Sequence, residues 1–253
     1  MPPITTDATR RSSVKIAISG TYSTGKTTLT EALSIATQVP RTQARTMREI
    51  LPDAVPGKTL EQCNPAELLN LGLSRLSERV VNEERCGDKF FSDGSCLHEW
   101  VYGAARLETG INPNDSDLVL AIKRLMGKPY LSVHRGYIDA FGNVAKRHAK
   151  KTYTKFVHLP IEFDLVADGH RPVSERFRQL SNDLLLSTVK ELNIPYITVG
   201  GDLRNRLITI AEHFNLPIYV DVDEAIEMAV KKVKTEAIAI ENYRLSILSP
   251  QKA

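Results

Sequence analysis

The sequence predicts an α/β fold, a three-layer sandwich in which a mostly parallel sheet carries helices on both faces. Three observations predict it. Segments with strand-like alternation take turns with segments of helical period along the chain, the order that yields a parallel sheet covered on both sides. A glycine- and threonine-rich loop from Gly20 to Thr27 joins the first such strand to the first such helix. The composition, 42% hydrophobic and 25% charged over 253 residues, is that of a soluble globular chain and excludes disorder throughout.

The elements follow in order. Val14, Ile16 and Ile18 alternate with Lys15 and Ala17 as a strand, and beyond the loop Leu29, Leu33 and Ala36 take the helical period. An Arg-rich stretch from Arg41 to Arg48 precedes a loop punctuated by Pro52, Pro56 and Gly57. Asn64 and Pro65 then open an amphipathic helix over 66–84 that Gly87 ends. Lys89–Asp93 reads as a short strand, followed by helices over 97–107 and 115–126, the latter capped by Asp115 or Ser116. A helix over 137–151 leads to a strand over 153–159 closed by Pro160. After a charged hinge come a helix over 174–192, a strand over 196–199, the Gly200-Gly201 turn and a helix over 202–214. The tail adds a strand-like run from Leu216 and a helix over 224–234.

Composition also narrows the function classes. Lys plus Arg number 33 against 30 Asp plus Glu, a net charge of +3, too even for a protein whose main work is coating a polyanion. The basic run from Lys146 to Lys151 reads as a solvated helix end, and nucleic acid is not expected as a partner. Cys63, Cys86 and Cys96 lack metal-ligand or paired spacing, so a reducing, cytoplasmic setting is expected. Residues 1–13 are polar, without the apolar stretch of a secretion signal, and read as a loose tail. No apolar run reaches the roughly 18 residues that a membrane span requires.

Gly20-Thr21-Tyr22-Ser23-Thr24-Gly25-Lys26-Thr27 matches GxxxxGK[ST] in the strand–loop–helix setting that the motif requires. This is a phosphate loop, or P-loop. Its glycines let backbone amides wrap an anion closely, with the positive end of the next helix behind them. Lys26 is expected to bridge β- and γ-phosphates, Thr27 to ligate Mg²⁺ and Thr28 to reach the α-phosphate of ATP, with GTP as the other nucleotide considered.

Asp93 closes the strand Lys89–Asp93, and a carboxylate at a strand's C-terminal end faces the crevice where such sheets bind ligands. It is expected to hold Mg²⁺ through water or to accept a proton from a substrate hydroxyl. The hinge after the next strand concentrates Arg171, Arg176 and Arg178. Guanidinium groups there suit an arginine lid, because charge develops on the migrating phosphoryl oxygens and water must be excluded.

Gly20 to Thr28, Arg48-Glu49, Phe91-Ser92-Asp93, Asp168-Gly169-His170-Arg171 with Arg176, and Ile194-Pro195-Tyr196-Ile197 with Arg206 resemble, in that order, the P-loop kinase domain of bacterial nicotinamide riboside kinases and related small NTP-binding proteins. The resemblance spans about residues 14–214. It implies a P-loop NTPase fold of nucleoside-kinase type with a five-stranded parallel core, catalytic Lys26, Asp93, Arg171 and Arg176, and a substrate cleft roofed by helices. Residues 215–253 form an extension expected to pack on the same domain. One departure is plain: Gly94 and Ser95 follow Asp93 where the family carries an Asp-x-Asp sequence.

On the substrate side, Arg48 and Glu49 are expected where the second strand's end approaches the acceptor. His98 and Trp100 follow Asp93 within two helical turns; His98 either donates to substrate or caps its helix, and Trp100 either stacks a flat ring or anchors the core. These features predict a kinase that moves the γ-phosphoryl of ATP to a hydroxyl of a nucleoside-like or other ring-bearing small molecule, with homodimer formation open. The alternative is a nucleotide-controlled regulatory switch with slow hydrolysis; no Asn-Lys-x-Asp guanine motif supports it.

Overall fold

A computed structural model describes residues 13–109, 128–164 and 174–248. The tail over 1–12, the helix expected over 115–126 and most of the charged hinge, including Arg171, lie outside the described residues.

The strands are β1 (Val14–Ser19), β2 (Arg41–Thr42), β3 (Lys89–Asp93), β4 (Lys155–His158) and β5 (Tyr196–Thr198). They form one five-stranded sheet in the order β2-β3-β1-β4-β5, and every pairing is parallel. Register brings Ile18 level with Asp93 and Ser19 level with His158. The C-terminal ends of the three central strands therefore meet at the start of the loop.

Between the strands run α1 (Lys26–Thr37), α2 (Met47–Ala54), α3 (Pro65–Cys86), α4 (Cys96–Thr109), α5 (Lys128–Thr152) and α6 (Glu175–Glu191), and after β5 come α7 (Leu203–His213) and α8 (Val222–Leu248). The period-2 alternation of the strands sorts the core into two layers. Ile16, Ile18, Phe91, Val157 and Leu159 pack with residues of α1, α7 and α8. Ala17, Phe90 and Phe156 pack on the other face with residues of α4, α5 and α6. A smaller cluster of Ile50, Leu51, Val55, Cys63 and Leu71 ties α2 to α3.

Local chemistry sets the boundaries. Asn64 caps α3 reciprocally with Glu67, Pro65 takes the first turn, and Gly87 ends the helix at φ 70°. Several sequence expectations need correction. Pro52 does not sit in a loop but inside α2, whose start is fixed by Thr46 and Glu49 in a capping box. The run after Leu216 is not a strand: the Tyr219 amide donates 2.8 Å to the Ala36 carbonyl, so the segment closes the end of α1 instead of joining the sheet. The last helix runs far beyond Lys234, to Leu248. Its Ala225 and Ala229 are fully buried in the core layer with α1, and Lys232 donates to Glu31 at 2.7 Å.

Candidate functional site

The loop after β1 takes a conformation that its residue types permit. Gly20 has φ +145°, and a Cβ there would lie 2.8 Å from both the Leu159 carbonyl oxygen and Thr24 Oγ1. Gly25 has φ +82° and stands at the N-cap of α1 without a side-chain cap, so the helix's first amides are left to the loop's concavity. Within the loop, Thr24 Oγ1 donates 3.0 Å to the Thr21 carbonyl, and the Lys26 ammonium donates to that same oxygen.

Three further carbonyls are held from outside, each by a different helix. His98 of α4 meets the Gly20 oxygen at 2.9 Å through Nε2, Arg178 of α6 donates 3.0 Å to Tyr22, and Arg206 of α7 donates 2.6 Å to Thr24. In a trans peptide the carbonyl and the following amide point in opposite directions. Tying these oxygens to the surrounding walls therefore turns the amides of Thr21, Ser23 and Gly25 away from those walls. Tyr22 is itself wedged on the protein, its ring stacked on Tyr102 at 4.6 Å and on Phe177 at 6.1 Å.

Burial drives the His98 pKa well below the usual histidine value, and Lys26 and Arg79 add to that effect. The Ser95 amide donates 2.9 Å to Nδ1, so the neutral ring carries its proton on Nε2 and donates it to Gly20. His158, at the end of β4, bridges Ser19 Oγ (3.4 Å) and Asn182 of α6 (3.2 Å). Burial lowers its pKa also, with Lys26 contributing in the same direction.

At the end of β3, the Asp93 carboxylate lies 3.2 Å from Arg41 of β2. Arg41 also bonds Glu31 of α1, which Lys232 reaches from α8. Burial opposes ionisation of Glu31, but these two cations outweigh it and hold the carboxyl below its ordinary range. Behind Asp93 runs a buried polar network. Arg79 Nη1 donates to Ser92 Oγ at 2.9 Å and to the Asp93 carbonyl at 3.1 Å, while Nη2 bonds Glu99 at 3.1 Å. Ser92 and the Tyr153 hydroxyl both donate to Glu83, at 2.8 and 2.7 Å.

The structure thus gathers Gly20 to Thr28 with His98, Arg178 and Arg206, and sets Asp93 on the neighbouring strand. Thr27 and Thr28 lie half-buried in the first turn of α1. Other expected positions differ. Arg48 and Glu49 are not at a strand end but on α2, where Glu49 accepts from the Thr46 amide at 2.6 Å and so caps its own helix. His98 has both ring nitrogens on protein partners and turns to the loop, not to a substrate. Trp100 is a core anchor, packed with Phe141 and Ala145 and covered by the Lys146 ammonium 5.1 Å from its ring. Arg176 is exposed in the first turn of α6, whereas Arg178, two residues on, is buried against the loop. Arg41, Arg79 and the Arg206 contact carry no local sequence signal, because their partners lie 52, 14 and 182 positions away.

Among the described residues no group of three or more His, Cys, Asp or Glu is arranged to hold a metal, and no helix is long and apolar enough to cross a membrane.

Comparison with known proteins places this geometry. Two structures of deoxyadenosine kinase from M. mycoides, one with bound dATP and one with bound dCTP, superpose with TM-scores of 0.55 and 0.53 at 14% identity. Each covers 80% of this chain and 99% of the kinase chain. The fold is therefore that of P-loop nucleoside kinases. A stretch of 122 residues is 30% identical to translation initiation factor IF-2 of Ehrlichia ruminantium (strain Welgevonden), covering 45% of this chain but only 14% of that factor's length. Residues 15–206 match the family described as an AAA domain, from the first strand through the arginine that braces the loop, and the chain belongs to that family.

Proposed function

We propose that the chain is a P-loop kinase that transfers the γ-phosphoryl group of a nucleoside triphosphate, ATP in the first instance, to a hydroxyl of a nucleoside-like small molecule. The observation that carries this reading is the bracing of the Gly20, Tyr22 and Thr24 carbonyls by His98, Arg178 and Arg206. The brace presets amides for an anion, so little reorganisation is left when phosphate arrives. The fold likeness to a deoxyadenosine kinase favours a nucleoside-like acceptor.

In this reading the loop amides and Lys26 hold the β- and γ-phosphates. Asp93 stands one strand away, level with Ile18, where its carboxylate orients the acceptor hydroxyl or takes its proton. Arg41 gives that carboxylate a fixed counter-charge and direction. Arg171 and Arg176 remain the candidates for closing over the reacting phosphoryl. Thr27 and Asp93 offer oxygen donors, the set that suits Mg²⁺, an ion that keeps most of its waters and neutralises phosphate charge.

The test is ADP formation with and without a panel of nucleosides, including deoxyadenosine and nicotinamide riboside. Acceptor-dependent ADP release that Lys26→Ala abolishes supports the kinase. Slow release that no acceptor accelerates favours a nucleotide switch instead.

A further inference from the structure

One lysine of α8 reaches the surroundings of Asp93. Glu31 lies on α1, the helix that Lys26 opens, and its carboxylate is almost wholly buried. Each of its oxygens serves a different cation. Oε2 accepts from Arg41 Nη1, and Oε1 accepts from the Lys232 ammonium at 2.7 Å. The second terminal nitrogen of Arg41, Nη2, donates instead to Asp93 Oδ2 at 3.2 Å and to the side-chain oxygen of Gln43. Glu236, one helical turn beyond Lys232, stands 3.9 Å from Nη1 and adds a negative charge on the α8 side.

An arginine and a carboxylate favour two parallel N–H···O bonds, from both terminal nitrogens to both oxygens. Arg41 and Glu31 make only one. The second would need Nη2 on Oε1, but Nη2 is on Asp93 and Oε1 is taken by Lys232. Glu31 and Asp93 therefore compete for one guanidinium. Their side chains are 5% and 11% exposed, so each depends on protein donors more than on water. Lys232 is the cation that satisfies Glu31 without drawing on Arg41 a second time.

We propose that Lys232 is a positioning residue for Asp93: by occupying one oxygen of Glu31 it keeps Arg41 from closing the two-bond fork there, and so holds Nη2 on the Asp93 carboxylate. The inference rests on the reading of Asp93 as the group that orients or deprotonates the acceptor hydroxyl. Without the lysine, Glu31 has a buried oxygen lacking its donor beside the guanidinium. Rotation of Arg41 satisfies that oxygen at the expense of Asp93. The Asp93 carboxylate then loses its fixed direction, and a misaligned group costs turnover. The braces of the loop, His98, Arg178 and Arg206, lie on other helices than α8, so nucleotide binding is spared.

The test is steady-state kinetics on the full chain, with ATP and whichever nucleoside of the panel gives the fastest ADP release, beside a crystal structure of Lys232→Met. That variant is expected to lose about tenfold in kcat with the KM for ATP unchanged, and to show both terminal nitrogens of Arg41 on Glu31. Lys232→Arg keeps a cation on Oε1 and should restore kcat. Lys234→Met, at an exposed lysine of the same helix, should match the wild type. Glu31→Gln removes the competing charge, so adding it to Lys232→Met should recover most of the lost turnover. A lysine that merely held α8 on α1 would give no such rescue, because the second change loosens the same contact further. Unchanged kcat in Lys232→Met, Arg41 still on Asp93 in its crystal structure, or a loss that Glu31→Gln does not relieve would each overturn the positioning role and leave the kinase standing. A wild-type chain without acceptor-dependent turnover would overturn the kinase reading, and the positioning role with it.

Discussion

Arg206 Nη1 donates to the carbonyl oxygen of Thr24 at 2.6 Å, joining α7 to the phosphate loop across 182 positions of sequence. Its Nη2 ends on Glu162 at 2.7 Å, and the side chain is almost wholly buried. One guanidinium thus fixes a peptide plane of the loop and the position of a neighbouring carboxylate. Arg206→Met should cost about 2–4 kcal/mol in unfolding free energy, because a buried acceptor and a carboxylate both lose their partner. It should also weaken tripolyphosphate binding. Arg206→Lys should restore more of the stability than of the affinity, since an ammonium cannot reproduce the fork. Chemical denaturation and calorimetry on the same preparations separate the two.

Gly20→Ala tests the loop itself. The added Cβ would meet the Leu159 carbonyl oxygen at 2.8 Å, at a φ of +145° that L-residues rarely adopt. Backbone must move, so nucleotide affinity should fall at least tenfold. A variant that binds ATP as the wild type does, by calorimetry, would count against the loop as the phosphate site.

Asp93→Asn keeps the shape of the strand end while removing the charge that faces Arg41. If Asp93 orients or deprotonates the acceptor, turnover should drop about 10²–10⁴-fold with little change in ATP affinity. Steady-state kinetics paired with calorimetry reads both. Equal losses in affinity and turnover would instead make Asp93 a binding residue.

Stability should decline in mild acid. The folded-state pKa of His98 lies well below its unfolded value, chiefly through burial. The unfolded chain therefore takes up a proton below about pH 6.5 that the folded chain refuses. Stability is fully present above that pH and is lost as pH falls toward the folded-state value, by up to about 1.4 kcal/mol per unit for one such site. His158 contributes with the same sign, again chiefly through burial. His98→Gln should flatten the dependence without abolishing it, as measured by denaturant melts from pH 5 to 7.5.

The buried Arg79–Glu99 pair gives a different signature. Arg79→Met takes one of two arginines from buried Glu99, leaving Arg75 at 2.8 Å, and removes the donor on the Asp93 carbonyl, so a loss of about 1–3 kcal/mol is expected. Glu99→Leu, alone and combined with Arg79→Met, should show a coupling of about 0.5–3 kcal/mol between the two side chains. Thermal melts of the three variants form the cycle.

Where local rules governed, the sequence was readable. The alternation at Val14–Ile18 and the apolar pair in Lys89–Asp93 gave the central strands, and GxxxxGKT gave the loop because its residues are contiguous. Arg178 was within reach of the same reasoning. Phe177, Ser181, Leu185 and Val189 recur every four residues and are buried, so the edge of that stripe carries Arg178 inward while Arg176 turns out. Glu49, three residues after Thr46, has the spacing of a capping partner, and the carboxylate serves the start of α2. Arg41 and Arg206 were beyond local reading: strand order, not spacing, puts one beside Asp93 and the other beneath Thr24.

The tie between Lys232 and Glu31 spans 201 positions, slightly more than the tie between Arg206 and Thr24. A polypeptide emerging from the ribosome completes its glycine hairpin of amides long before it makes the cations that clamp it. Most of this sequence must be translated before that segment acquires its final shape, and the entropy of closing so long a span falls late in maturation. The phosphate loop therefore gains the braces of Arg178 and Arg206 only after α6 and α7 have been made.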